Sequence, residues 1–197
     1  MSELLTFAHL GFLHITDPRG ADHVLFILVL AAIYRLRDWR QAMAVVTAFT
    51  VGHSVTLALA VTGVLNLPTA LIEFLIPVTI VATAAENLLV RDRAGAPWRG
   101  RYRPVFAGVF GLVHGAGFAN YLRSLFVDGV AVPLLGFNLG IEAGQVAVLA
   151  AATVLFAGLD RLLDGLRAPS PFRLRVVAVS AVIAVVAAGW AVERSPW

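Results

Sequence analysis

The residues of this 197-residue chain best suited to chemistry are a few imidazoles and carboxylates standing in apolar surroundings. The densest group is His14-Ile-Thr-Asp17-Pro-Arg-Gly20-Ala-Asp22-His23. Imidazole with carboxylate, and no thiolate, suits a borderline divalent ion such as nickel, cobalt, zinc, iron or manganese. Pro18 and Gly20 break any helix there and force a turn. That turn brings His14 and Asp17 back over Asp22 and His23. Further along stand His53, flanked by Thr50 and Ser54, then Glu86 with Asn87, then His114, and finally Asn138, Glu142 and Gln145. The last three follow i, i+4, i+7 and share one helical face. His53, His114 and Glu142, one from each of three helices, make a geometrically reasonable inner cluster beside the outer His/Asp turn.

The elements that must position these residues are membrane helices. The chain is 59% hydrophobic and only 14% charged, against about a quarter charged in an ordinary soluble domain. A water-soluble surface is out of reach with so few polar groups. Runs of about 20 apolar residues suit a bilayer. They fall at 22–35, 42–62, 69–90, 104–122, 132–158 and 173–192, with residues 1–21 as an outer or re-entrant segment that lengthens the short first run. The expectation is an all-α, polytopic bundle of about six spans in a single domain over 1–197.

All 15 basic residues are Arg. Twelve of them cluster: at Arg35, Arg37 and Arg40; at Arg91, Arg93, Arg99, Arg101 and Arg103; and at Arg161, Arg167, Arg173 and Arg175. The alternate loops are nearly uncharged: 62–68 has no charge, and the stretch around Asp128 is acidic. The positive-inside rule then puts the Arg loops in the cytoplasm and the N-terminus outside. A net charge of +3 is thereby read as a topology signal, not as affinity for nucleic acid. Trp98, Trp190 and Trp197 fall near predicted interfaces. Residues 1–12 lack a basic n-region and do not read as a cleaved signal peptide. The chain has no cysteine, which removes disulfides, zinc-thiolate sites and thiol nucleophiles.

Each polar residue also has a plainer reading. Asp22 suits a helix N-terminus. His53 and His114 can serve as interhelical glue, His9 as an interfacial residue, Glu73 as an interfacial charge, and Glu86 with Asn87 as either a helix end or exit-path ligands. Glu142 is harder to place as glue, because an ionised carboxylate in a span needs a partner or a proton. The glycines at 136, 140 and 144, opposite the polar face, and those at 111 and 115 allow close helix packing. They make the fourth and fifth spans the expected centre. The last span, in which Ser180 is the lone hydroxyl-bearing or charged residue from Val176 to Ala191, is expected at the lipid-facing periphery.

Four ordered blocks resemble the HupE/UreJ family. They are His14, Gly20 and Asp22-His23 with Leu25-Phe26; Phe49-Thr-Val-Gly-His53-Ser-Val-Thr56-Leu; Phe110-Gly-Leu-Val-His114-Gly-Ala-Gly117-Phe118-Ala; and Phe137-Asn138-Leu-Gly140-Ile-Glu142-Ala-Gly-Gln145. Relative to the family pattern, Asp17-Pro18-Arg19 lengthens the first turn. The resemblance implies an integral protein of the bacterial inner (cytoplasmic) membrane that acts as a divalent metal permease, with nickel or cobalt favoured and zinc possible. In that reading His14, Asp17, Asp22 and His23 recruit the ion, and His53, His114 and Glu142 hold or relay it. Thr50, Ser54, Asn138 and Gln145 then support these ligands, and Glu86 and Asn87 lie on an exit path. No phosphate-binding GxxxxGK[ST] loop is present, so the energy source is an ion or proton gradient or the membrane potential. Two alternatives stand beside it. One is an intramembrane metal-dependent hydrolase built on the same ligands, and the other is a non-transporting membrane assembly factor. Partners other than the ion and the bilayer are left open.

Overall fold

The computed structural model describes residues 2–89, 102–118, 122, 125 and 129–197. Arg91, Arg93, Arg99, Arg101, Trp98 and Asp128 lie outside the described residues. Among the described residues the chain is all-α. Its helices are α1 (Glu3–Thr16), α2 (Asp22–Ala31), α3 (Trp39–Val61), α4 (Thr69–Leu89), α5 (Arg103–Gly117), α6 (Ala131–Gly165) and α7 (Pro171–Glu193). Four apolar helices are long enough to cross a membrane: Leu36–Val61, Thr69–Leu89, Ala131–Gly165 and Pro171–Glu193. The expected first span is a ten-residue helix, and the described part of the expected fourth has 15 residues. Neither reaches the ~20 residues of a full crossing.

Local chemistry sets the break before the first of these short helices. Asp17 leaves the helical region at φ −67°, ψ 118°, as a residue before proline tends to do. Pro18–Gly20 then forms one 3-10 turn, and Asp22 begins α2. The expected outer segment 1–21 is thus mostly helix, and α1 packs lengthwise on α6.

Three close helix pairs organise the bundle: α1 with α6, α3 with α5, and α4 with α7. Glycine makes the first two possible. Any methyl on Gly140 would run into the Ala8 carbonyl, and one on Gly11 into that of Phe137. In the second pair Gly52 meets the Gly108 carbonyl, Gly111 that of Phe49 and Gly115 that of His53. Packing of this kind substitutes for a hydrophobic drive between helices in lipid. The glycine rows therefore do not join the fourth and fifth expected spans to each other, because α5 holds α3 and α6 holds α1. The centre belongs to α2, which touches α1, α3, α4, α6 and α7. Six of its ten residues are buried, consistent with a helix apolar on all sides.

The last helix is mostly exposed or half-buried, as expected of a peripheral span, and packs one face chiefly on α4. Val176, Ser180, Ile183 and Ala187 are buried along one face of α7, and the Ser180 hydroxyl accepts a hydrogen bond from Asn87 Nδ2 at 3.2 Å. Only the opposite face is free for lipid. Several arginines likewise do more than mark topology. Arg175 is 1% exposed and donates to Asp160 at 2.7 Å and to the Ala32 carbonyl at 2.9 Å. Arg173 donates to the carbonyls of Asn87 and Leu88 at 2.9 and 2.6 Å, satisfying the open end of α4.

Candidate metal centre

The break at Asp17-Pro18 folds α2 back beside α1, so the ring of His14 meets that of His23 edge-on with centroids 4.7 Å apart. The α3–α5 pair brings two more imidazoles to the same place. His53 lies 5.9 Å from His23 and 6.3 Å from His14, and His114 lies 5.2 Å from His23. The ligand nitrogens of His14, His23 and His53 all fall within 4.8 Å of one another. A tetrahedral ion held at ~2.0–2.1 Å from each nitrogen needs them about 3.3 Å apart, so closure by at most about 1.5 Å would complete the arrangement.

These rings are buried and short of partners. His23 is 7% exposed, His53 0% and His114 1%. Among the described residues, His14 Nε2, His23 Nε2, both nitrogens of His53 and His114 Nδ1 have no hydrogen-bond partner. Leaving one such group unpaired costs about 1–3 kcal/mol, and buried polar groups in native proteins are otherwise nearly all satisfied. Packing alone gives no return for that cost at four neighbouring positions. The walls are aromatic. Phe118 sits 4.0 Å from His14 and stacks on Phe137, while Phe49 and Phe26 lie 5.0 and 5.3 Å from His114.

His114 has one anchored nitrogen. The Thr79 hydroxyl is 2.7 Å from the Ile76 carbonyl and 3.0 Å from His114 Nε2. A hydroxyl has a single proton. The carbonyl can only accept it, so His114 Nε2–H donates to Thr79 and Nδ1 carries the lone pair, a proton assignment that follows from the bond count. Ligating histidines are commonly oriented by such a partner, whose loss costs 10–100-fold in metal affinity. Replacing Thr79→Val is therefore expected to weaken divalent-metal binding by roughly tenfold or more, with Thr79→Ser restoring it; calorimetric titration of the two variants checks this. Thr79 lies outside the sequence motifs. The signal that points to it is a threonine two residues past Pro77, inside a span.

Over the rings opens a cavity of about 520 Å³, lined by His14, His23, His114, Asp17, Asp22 and Glu73 among others. Arg194 also lines it and donates to both oxygens of Asp22 at 3.3 and 3.2 Å. Among the described residues, three carboxylates and one guanidinium line this mouth.

The structure regroups the residues expected from sequence. His53 joins His14 and His23, with His114 adjoining them, so the outer and inner histidines meet. Asp17 and Asp22 stay at the mouth, and the Asp22 carboxylate lies on Arg194. Glu142 stands apart, on the α3 side of α6, where it accepts from Thr47 at 2.8 Å and from Thr50 at 2.5 Å. Thr50 Oγ1 is also 2.7 Å from Gln145 Oε1. Thr50 is thus tied to Glu142 and Gln145, one helical turn from His53. Ser54 is half-buried, and Asn138 Oδ1 is buried without a partner. Glu86 and Asn87 lie at the far end of α4, on Arg103.

No curated protein and no solved structure matched the chain. A family model described as "HupE / UreJ protein" matches residues 1–194. That family is transporter-like and linked to nickel and cobalt uptake. With a match spanning α1 to α7 and the four histidines gathered where its helices meet, this chain belongs to the HupE/UreJ family.

Proposed function

We propose that the chain is a divalent transition-metal permease of the bacterial inner membrane, with nickel or cobalt as cargo and no use of ATP. The observation that supports this best is the convergence of His14, His23 and His53, from three helices, with ligand atoms within 4.8 Å. Imidazole donors suit nickel, cobalt and zinc, and family membership favours the first two. The carboxylates of Asp17, Asp22 and Glu73 gather the ion at the outer mouth. The three imidazoles then replace part of its water, with the His114 ring beside that of His23. Glu142, supported by Thr50 and Gln145, offers a carboxylate one turn further along α3. In this reading the arginine-rich end of the bundle faces the cytoplasm and the N-terminus lies outside.

The test is uptake of radioactive nickel or cobalt into vesicles holding the purified chain, without nucleotide. Saturable accumulation that His53→Ala reduces to the level of empty vesicles is expected. Vesicles that bind the ion at their surface yet accumulate none would contradict the permease reading and favour a hydrolase or assembly role.

A further inference from the structure

A second cavity, of about 130 Å³, lies on the other side of the histidines. Phe26, Phe110 and Thr83 line it, together with Glu86, Tyr102 and Arg103. Glu73, at the mouth of the larger cavity, and Glu86 are both on α4. At 1.5 Å per residue they stand roughly 20 Å apart along it. Phe26 divides the two spaces: it walls the smaller one, and its ring is 5.3 Å from that of His114, which walls the larger.

Glu86 and Arg103 form more than a simple pair. Arg103 Nε donates to Glu86 Oε1 at 3.2 Å, and Nη2 donates to Glu86 Oε2. The same Nη2 donates to Asn87 Oδ1 at 3.0 Å. The Asn87 amide cannot turn its oxygen elsewhere, because its Nδ2 is held by the Val29 carbonyl at 2.6 Å and by Ser180 at 3.2 Å. Tyr102 adds its hydroxyl to Glu86. One cationic nitrogen therefore stands between a carboxylate oxygen and a fixed amide oxygen, with a phenol on the carboxylate's other oxygen. Oxygen donors of this kind accept a divalent cation in place of a guanidinium.

We propose that Arg103 is a tethered cation occupying a second divalent-metal site made by Glu86 and Asn87. An ion leaving the histidines past Phe26 takes its place as Arg103 swings out. The proposal rests on the permease reading for the ion's route but not for the existence of the site. The plainer alternative is a static ion pair stitching α4 to α5, and the two differ in what happens when Arg103 loses its charge.

A site open only a small fraction of the time binds with an apparent Kd raised by the inverse of that fraction. If Arg103 leaves it open about a tenth of the time or less, removing the charge tightens it about tenfold or more. The experiment is calorimetric titration of the purified full chain with nickel alone. Wild type is expected to show one equivalent at the histidines. Arg103→Gln is expected to show a second, which Arg103→Gln/Glu86→Gln loses and Arg103→Lys does not acquire. A single equivalent in Arg103→Gln, or a second one surviving in the double variant, would overturn the proposal. Should Arg103→Gln lose the first equivalent by misfolding, wild type at high nickel decides instead. A weak second equivalent, absent from Glu86→Gln, supports the site, and its absence from wild type overturns it. Failure of the histidine site appears separately, as loss of the first equivalent in wild type.

Discussion

His23→Ala is expected to abolish stoichiometric nickel or cobalt binding, lowering affinity by more than the 10–100-fold that follows loss of an orienting partner. His23 is the hub of the site. Its ring lies 4.7 Å from His14, 5.9 Å from His53 and 5.2 Å from His114. Removing it takes away the ring that links the other three. The same change separates a metal site from interhelical glue. A histidine that glues helices makes a hydrogen bond, and losing one costs about 0.6–2 kcal/mol of stability. Among the described residues His23 Nε2 is buried without such a bond, so the variant loses packing volume but no polar partner at that nitrogen. Binding should disappear while the ion-free protein stays folded. His9→Ala, at an exposed position of α1, is the control and should bind as wild type does. Equal binding by His23→Ala and wild type would refute the assignment.

The second large effect comes from a residue with no side chain. Gly115→Ala is expected to destabilise the bundle by about 1–3 kcal/mol or more, as forced overpacking does, and to weaken metal binding at least tenfold. The added methyl would strike the His53 carbonyl and approach its Cα at 2.9 Å. Backbone on a packed helix cannot step aside as a flexible side chain can, so α3 must shift and carry His53 with it. The contrast is Gly158→Ala in α6 and Gly189→Ala in α7, where a methyl meets nothing within 4 Å. Those two changes should be neutral or stabilising, because alanine favours a helix interior over glycine by about 1 kcal/mol. Thermal unfolding in detergent, paired with nickel titration, reads both effects. A Gly115→Ala protein with wild-type melting and affinity would contradict the packing described for α3 and α5.

The chemistry-bearing residues were legible because membrane helices tolerate few polar groups, so each histidine or acid stands out against its surroundings. Their grouping was less so. Sequence separates His14 and His23, in one turn, from His53 and His114, in two later helices. Only the close approach of α3 and α5 at Gly52, Gly111 and Gly115, set against α2, brings the four rings together. Glu142 shares a helical face with Gln145, as i, i+3 spacing requires. Which neighbour that face meets is a tertiary fact, and it meets Thr47 and Thr50, not the imidazoles. The four long helices follow from hydropathy, whereas α2 is too short to be told from a full span by pattern alone. Its central place follows from being apolar on every side. Arg103 illustrates the opposite limit. Positive charge beside a span reads as a topology signal, and nothing in its neighbours announces a bond to Glu86 and Asn87 across the fold.

The most direct test is anomalous diffraction from crystals of the full chain grown with nickel, collected on both sides of the nickel absorption edge. The account predicts one dominant edge-dependent peak bonded to His14, His23 and His53, at about 2.0–2.2 Å from a nitrogen of each. A nickel-loaded crystal with no peak among these three imidazoles, or with its dominant peak elsewhere, would contradict it.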